Sequence, residues 1–357
     1  MTRLEKIRNT LAEKGLDALV VLDELNQQYL SGFAFTDGLL LITKKRALLI
    51  TDFRYYEMAQ NEAYPEFEVM MPDDRKKVIT DALADESCRK VGFEGNSVSF
   101  ATFKRYCETY PSVEFVTIGG AIEELREVKD ESEIALMQKA QDITDHAFGE
   151  LVKRINTNMT EIEVAAELEY LMRRAGASGF AFDTIAVSGD ASALPHGTPR
   201  NVKLKPGFLT MDFGAKYNGY CSDMTRTIVI GKADDEMKRL YNTVLEAQLA
   251  ALAAAKPGAL CREMDKIARD IIDNAGYKGA FGHSLGHGVG MYIHEAPGLS
   301  QKVMPADRKL TPGHIVTFEP GIYLEGKYGC RIEDMVAVLE DGILNFTHSP
   351  KELIEIY

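Results

Sequence analysis

Four acids in the second half of the chain occupy places where a carboxylate is costly to bury and easy to pair. Asp212 ends the run LTMD, and Asp223 follows eleven residues later, after a turn containing Asn218 and Gly219. Glu319 ends IVTFE, and Glu333 follows fourteen residues later in RIEDM, with Gly326 and Gly329 in the turn. Paired as antiparallel strands, each segment becomes a hairpin carrying two carboxylates side by side. Four buried carboxylates facing one another repel by several kcal/mol, so positive charge must sit between them, and two divalent cations supply it. The stretch FGHSLGHGVGMYIHEAP, Phe281 to Pro297, adds three of the chain's seven histidines within twelve residues, set among glycines. The chemistry of such a centre is hydrolysis. Two ions about 3.5 to 4 Å apart hold a bridging water and lower its pKa toward ~7, giving a hydroxide at neutral pH.

The elements that must position these groups repeat. Pro206-Gly207 opens GFLTMDFGAKYNGYCSDMTRTIVI, and Pro312-Gly313 opens GHIVTFEPGIYLEGKYGCRIEDMVAV. Each segment has a Pro-Gly entry, a strand ending in an acid, a Gly- and Tyr-containing turn, and a second acid at the next strand. Helical sequence precedes each, most clearly Asp235 to Ala255 and Ala259 to Gly276 before the second. The pattern is that of an internal duplication with two facing hairpins. GHGVG at Gly286 to Gly290 lacks both a GK[ST] ending and a strand-to-helix setting, so it is not a phosphate loop.

The first 125 residues have a different rhythm. An amphipathic opening helix (Leu4, Ile7, Leu11) precedes short apolar strands at Ala18 to Leu22, Leu39 to Ile42 and Arg46 to Ile50. Further strands are expected at Phe67 to Met71, Lys90 to Phe93 and Glu114 to Thr117, with helices between. This is a small α/β domain with no cluster of ligating side chains. In EELREVKDESE, Glu123 to Glu133, eight of eleven residues are charged, which places the boundary between domains 1–125 and 126–357. Beyond it, Ile134, Met137, Ile143, Phe148, Leu151 and Ile155 trace one helical face, and TEIE at Thr160 reads as a capping box.

At 357 residues with 45% apolar content, the chain has material for two cores. A net charge of -13 disfavours a nucleic-acid partner. No apolar run reaches the roughly 20 residues of a membrane span. Five cysteines without a CxxC pair fit neither a disulfide framework nor a thiolate zinc site. With no signal peptide at the N-terminus, the expectation is a cytoplasmic protein with reduced thiols.

From about Glu133 onward the chain resembles the metallopeptidases that include prolidase (Xaa-Pro dipeptidase), aminopeptidase P and methionine aminopeptidase. The resemblance rests on LPHGTP, MDFGAKYNGYCSDMTRT, HSLGHGVGMYIHEAP, FEPGIY and RIEDM, in that order. It implies an α+β chain: a C-terminal pita-bread (creatinase/aminopeptidase-like) catalytic domain with internal duplication, preceded by a smaller α/β domain like that of creatinase. It implies that Asp212, Asp223, His287, Glu319 and Glu333 bind two divalent metal ions, with Asp223 and Glu333 bridging. Asp212 then serves one ion, and His287 with Glu319 the other. An oxygen-rich site with one imidazole suits manganese or cobalt, with zinc or iron also compatible. Glu319 is the expected proton shuttle, His196 and His294 the expected donors to the scissile carbonyl, and His283 a wall of the substrate pocket.

Arg331 and Tyr323 are expected to organise the site for Xaa-Pro substrates, because the proline-directed members carry an arginine in this motif. The implied reaction is hydrolysis of the Xaa-Pro bond in dipeptides or at the N-terminus of short peptides, by a homodimer. Methionine aminopeptidase-like and creatinase-like hydrolases are the enzymatic alternatives, and a non-catalytic peptide-binding module is the third. His146, His314 and His348 are expected to be structural or exposed.

Overall fold

The computed structural model describes residues 1–357. The chain divides into two compact units, Met1–Arg126 and Glu127–Tyr357.

The first unit alternates α1 (Arg3–Glu13), β1 (Ala18–Val21), α2 (Glu24–Ser31), β2 (Gly38–Thr43), β3 (Ala47–Thr51), α3 (Phe53–Glu62), β4 (Glu68–Met70), α4 (Arg75–Asp85), β5 (Lys90–Phe93), α5 (Phe100–Thr109) and β6 (Glu114–Thr117). One six-stranded sheet runs β4-β3-β2-β1-β5-β6. Its central strands are buried along their length, so they read as continuous apolar runs such as ALVV and ALLIT. Leu4, Ile7 and Leu11 of α1 are buried, and Thr2 with Glu5 closes a capping box at its start. After β6 comes the short helix α6 (Ala121–Glu127).

The second unit is built twice. In its first half, α7 (Glu131–Val152) and α8 (Glu161–Arg174) precede β7 (Gly179–Phe180), β8 (Ile185–Ser188), β9 (Gly207–Phe213), β10 (Ala215–Tyr217), β11 (Tyr220–Cys221) and β12 (Met224–Ile230). In its second half, α9 (Asp235–Ala254) and α10 (Cys261–Ile272) precede β13 (Gly286–Gly288), β14 (Glu295–Leu299), β15 (Ile315–Phe318), β16 (Gly321–Leu324), β17 (Tyr328–Arg331), β18 (Asp334–Leu339) and β19 (Gly342–Asn345). A final strand, β20 (Glu355–Ile356), returns to the first half and pairs in parallel with β12.

Each half packs two helices on a sheet whose strands are antiparallel apart from the β20 edge. Phe148, Leu151, Val164, Leu168 and Met172 meet Leu209, Met211, Met224 and Ile228 in the first. Leu240, Val244, Ala247, Met264 and Ala268 meet Val316, Phe318, Val336 and Val338 in the second. Each such fully buried Leu, Val, Phe or Met contributes about 1.5–3 kcal/mol relative to leaving it exposed. Asp130 and Thr160 cap α7 and α8 through complete capping boxes. The second unit is thus the duplicated pita-bread fold, and the first a smaller α/β domain.

Two expectations need correction. Helix α10 starts at Cys261 rather than Ala259, because Leu260 forms a strand-like bridge with Lys309 and holds that segment extended. It is regular only to Ile272, after which a wider turn carries the chain to Tyr277 through Gly276 at φ 97. Within the charged segment 123–133, Glu127, Lys129 and Glu133 are buried. Lys129 pairs with Glu295 at 3.1 Å, and Glu133 accepts the Tyr220 hydroxyl at 2.8 Å.

Candidate metal centre

Strands β9 and β12 pair with Asp212 opposite Thr225, so Asp212 and Asp223 are neighbours without being register partners. The excursion β10–β11 separates them, and it reverses at Asn218 (φ 46) and Gly219 (φ 88). In the other half, Phe318 of β15 pairs with Asp334 of β18, which leaves Glu319 and Glu333 at adjoining strand ends. Backbone N–H of Glu333 donates to Thr225 O at 3.1 Å, joining the two halves where the acids converge. His287 lies within β13, beside β15. Asp212, Asp223, His287, Glu319 and Glu333 line one cavity of about 500 Å³ together with His196, His283, His294 and Arg331. Tyr323 stands behind that wall, its hydroxyl 2.9 Å from His283 Nε2 and 2.8 Å from Arg331 Nη1.

The acids cannot all be charged without a cation. Burial, then Glu333 and Asp212, push the Asp223 carboxyl well above the usual range. Burial, then Glu319 and Asp212, do the same to Glu333. Glu319 is pushed up to about 8, chiefly by burial. Asp212 Oδ2 accepts Arg331 Nη2 at 2.7 Å, while its Oδ1 is buried with no hydrogen-bond partner. His287 Nδ1 faces Gly288 O at 3.0 Å, which puts the ring proton there and turns the Nε2 lone pair inward. Nε2 lies 3.5 Å from Asp223 Oδ2 and 3.5 Å from Glu319 Oε1. Burial holds the His287 ring down to about 4, so it is neutral at pH 7 and able to ligate. Ligand atoms of Asp223, His287 and Glu333 lie within 4.8 Å of one another. Acceptors that outnumber the donors reaching them, one of them orphaned, are a ligand set that divalent cations satisfy.

Arg331 is occupied by the protein. Nε donates to Thr225 Oγ1 at 2.9 Å and Nη1 to Pro195 O at 3.2 Å and the Tyr323 hydroxyl. With Nη2 on Asp212, four of the five guanidinium N–H groups are used. The side chain therefore braces an acid, a tyrosine and the LPHG turn, and its charge offsets part of the carboxylate cluster. His196 and His294 are exposed to the cavity, and the His294 ring centroid lies 4.4 Å from that of His287. Burial lowers the His294 pKa and leaves a neutral ring with one N–H to donate.

The glycines of GHGVG serve close packing. A Cβ at Gly286 would lie 2.0 Å from Thr317 O, and one at Gly288 would lie 2.3 Å from Ala296 O. Phe182, Asp183 and Thr184 also line the cavity, although FDT carries no motif or spacing signal in the sequence. The Thr184 hydroxyl is buried without a partner.

Residues 135–340 match the profile of Metallopeptidase family M24, and residues 3–128 match the Creatinase/Prolidase N-terminal domain. A Xaa-Pro dipeptidase from Pyrococcus furiosus is 38% identical over 99% of this chain and 99% of its own length. Among solved structures, a Xaa-Pro dipeptidase from Bacillus anthracis superposes with a TM-score of 0.94 at 42% identity, covering 99% of both chains. An X-Pro aminopeptidase from Thermotoga maritima superposes with a TM-score of 0.91 at 38% identity, covering 98% of this chain and 100% of that one.

Proposed function

Because the chain belongs to metallopeptidase family M24, we propose that it hydrolyses the Xaa-Pro bond of dipeptides or of the N-terminal end of short peptides, with two divalent ions held by Asp212, Asp223, His287, Glu319 and Glu333. The observation that carries this reading is the convergence of four carboxylates and one inward-facing imidazole on a single cavity. Manganese or cobalt suits such donors best. Bound there, the ions supply Lewis acidity and bring the pKa of a water near 7.

The chain's own residues do the rest. Glu319 takes a proton from the attacking water as its oxygen bonds to the scissile carbon. It then delivers that proton to the proline nitrogen as the C–N bond breaks. His196 and His294 donate hydrogen bonds to the carbonyl oxygen as it gains negative charge. His283 and Tyr323 shape the wall beside the proline, and Arg331 holds that wall to Asp212. A homodimer is the proposed assembly. No helix is long and apolar enough to cross a membrane.

The test is chromatography of Xaa-Pro and Xaa-Pro-Yaa peptides incubated with the metal-loaded protein. Cleavage before proline in either is expected, and the preferred length separates dipeptidase from aminopeptidase. No cleavage of either, with manganese or cobalt supplied, overturns the reading.

A further inference from the structure

Two threonines with no exposed surface lie beneath the proposed ligands, and each hydroxyl accepts an N–H from a group of the site. Thr225 Oγ1 faces Arg331 Nε at 2.9 Å and Glu333 Oε2 at 2.8 Å. Thr317 Oγ1 faces the backbone N–H of His287 at 3.1 Å, with the Glu319 carboxyl beside it. A guanidinium N–H and a backbone N–H can only donate. Each hydroxyl must therefore accept from its nitrogen, which leaves its single proton for the carboxylate. The direction of both bonds is fixed by chemistry.

From these bonds we infer that Thr225 and Thr317 are paired positioning residues for the metal centre, each fixing the rotation of one carboxylate and tying it to a second group of the site. Thr225 completes a chain from Asp212 through Arg331 to Glu333, so an acid from each half of the duplication is held in one hydrogen-bonded line. Thr317 ties Glu319 to the backbone of His287. Both threonines stand two residues from an acid, Thr225 after Asp223 and Thr317 before Glu319. That spacing puts side chains on the same face of a strand. Their β-branched side chains have few rotamers, which suits a hydroxyl that must point one way.

The arrangement is not a by-product of the repeat. Thr210, two residues before Asp212, bonds Thr227 and Gly329 O instead. The position two after Glu333 is Met335. Each half holds its acids through a different strand, and the two threonines sit diagonally across the site.

The inference shares its ligand set with the proposed function, and the test separates them. Mn2+ alone is titrated into the metal-stripped full-length chain, and its affinity is measured by calorimetry or by competition with a chelating dye. The wild type is compared with Thr225→Val and Thr317→Val, which keep the volume and remove the hydroxyl, and with Thr225→Ser and Thr317→Ser, which keep it. Outer groups of this kind control metal affinity by about 10–100-fold, so each valine variant is expected to lose that much while each serine variant keeps most of the wild-type affinity. Melting of the metal-stripped proteins is recorded alongside, because a merely structural threonine would lower melting and leave Mn2+ affinity alone. Wild-type affinity in the valine variants, or equal losses with valine and serine, overturns the inference. Should a valine variant fail to fold, alanine replaces it, and equal Mn2+ affinity of the alanine and serine variants overturns the inference likewise. A wild type that binds Mn2+ but leaves Xaa-Pro peptides intact overturns the proposed function alone.

Discussion

Replacing Arg226 with methionine should cost the catalytic unit about 3–5 kcal/mol, the loss that follows when one partner of a buried ion pair is removed. The side chain is 1% exposed, and its partner Asp334 is fully buried. Nε donates to Pro350 O at 3.1 Å, Nη1 to Thr225 O at 3.0 Å and Glu333 O at 2.6 Å, and Nη2 to Asp334 Oδ1 at 2.9 Å and Ser349 O at 2.8 Å. All five N–H groups are thereby satisfied. Methionine fills much of the volume but leaves four carbonyls short of a donor and Asp334 short of its main counter-charge. Lys351 at 2.6 Å and Asn345 at 2.8 Å still reach Asp334, which pulls the expected loss toward the lower end. For a unit of this size a melting temperature moves by about 2–4 °C per kcal/mol, so the fall should be roughly 6–20 °C. Urea denaturation followed by circular dichroism gives the free energy. The double variant Arg226→Met/Asp334→Leu should recover part of the loss, because no buried charge is then stranded. A single-variant loss below about 1 kcal/mol would refute the argument that this guanidinium pins the two halves together.

Arg331→Lys places a point charge where a fork now spans Thr225, Tyr323, Pro195 O and Asp212; turnover of an Xaa-Pro dipeptide should fall by about 10–100-fold, measured as kcat at saturating Mn2+. Stripping divalent metal with a chelator should abolish hydrolysis, and restoring Mn2+ to about 100 times its dissociation constant should stabilise the fold by about 2.7 kcal/mol, seen as a rise in melting temperature. His314 supplies a pH signature. Burial first, then Arg308 and Lys129, holds its ring down to about 4, and Thr311 N–H donates to its Nδ1 at 3.2 Å while Glu127 lies 2.9 Å from its Nε2. As pH falls from 6.5 toward 4 the unfolded chain takes up this proton and the folded one does not. Stability should drop by up to about 3 kcal/mol across that window, and His314→Gln should flatten the slope of urea stability against pH.

The parts of this protein that announce themselves in sequence are those where local pattern and tertiary role agree. Strands β1, β2 and β3 are apolar runs because both faces are covered, and α7 and α8 carry their caps in plain letters. The four acids stand out because two end strand-forming runs and two open the next strand after a glycine turn. Other features depend on partners that are distant in the chain. Strand β13 reads GHG, with no strand propensity at all, and exists because glycine lets β15 and the Ala296 backbone approach so closely. Lys129 looks like part of a solvated charge run until Glu295 meets it. Thr184 and Thr225 are small polar residues in ordinary strand contexts, and only the cavity and the neighbouring guanidinium give them meaning. Asp212 and Asp223 were legible as a pair, while their true register was not, because the β10–β11 excursion leaves no mark on the hydrophobic period.

The pairing of β20 with β12 has a consequence for the ribosome. Val229 and Gly231 donate their backbone N–H groups to Ile354 O and Ile356 O at 2.8 and 2.7 Å. The sheet that carries Asp212 is thus closed by residues translated last among those described here. At synthesis rates of about 5–20 residues per second, its edge waits on the order of 6–25 s after β12 is made. During that interval the edge of β12 stands unpaired, the kind of edge to which another strand can add.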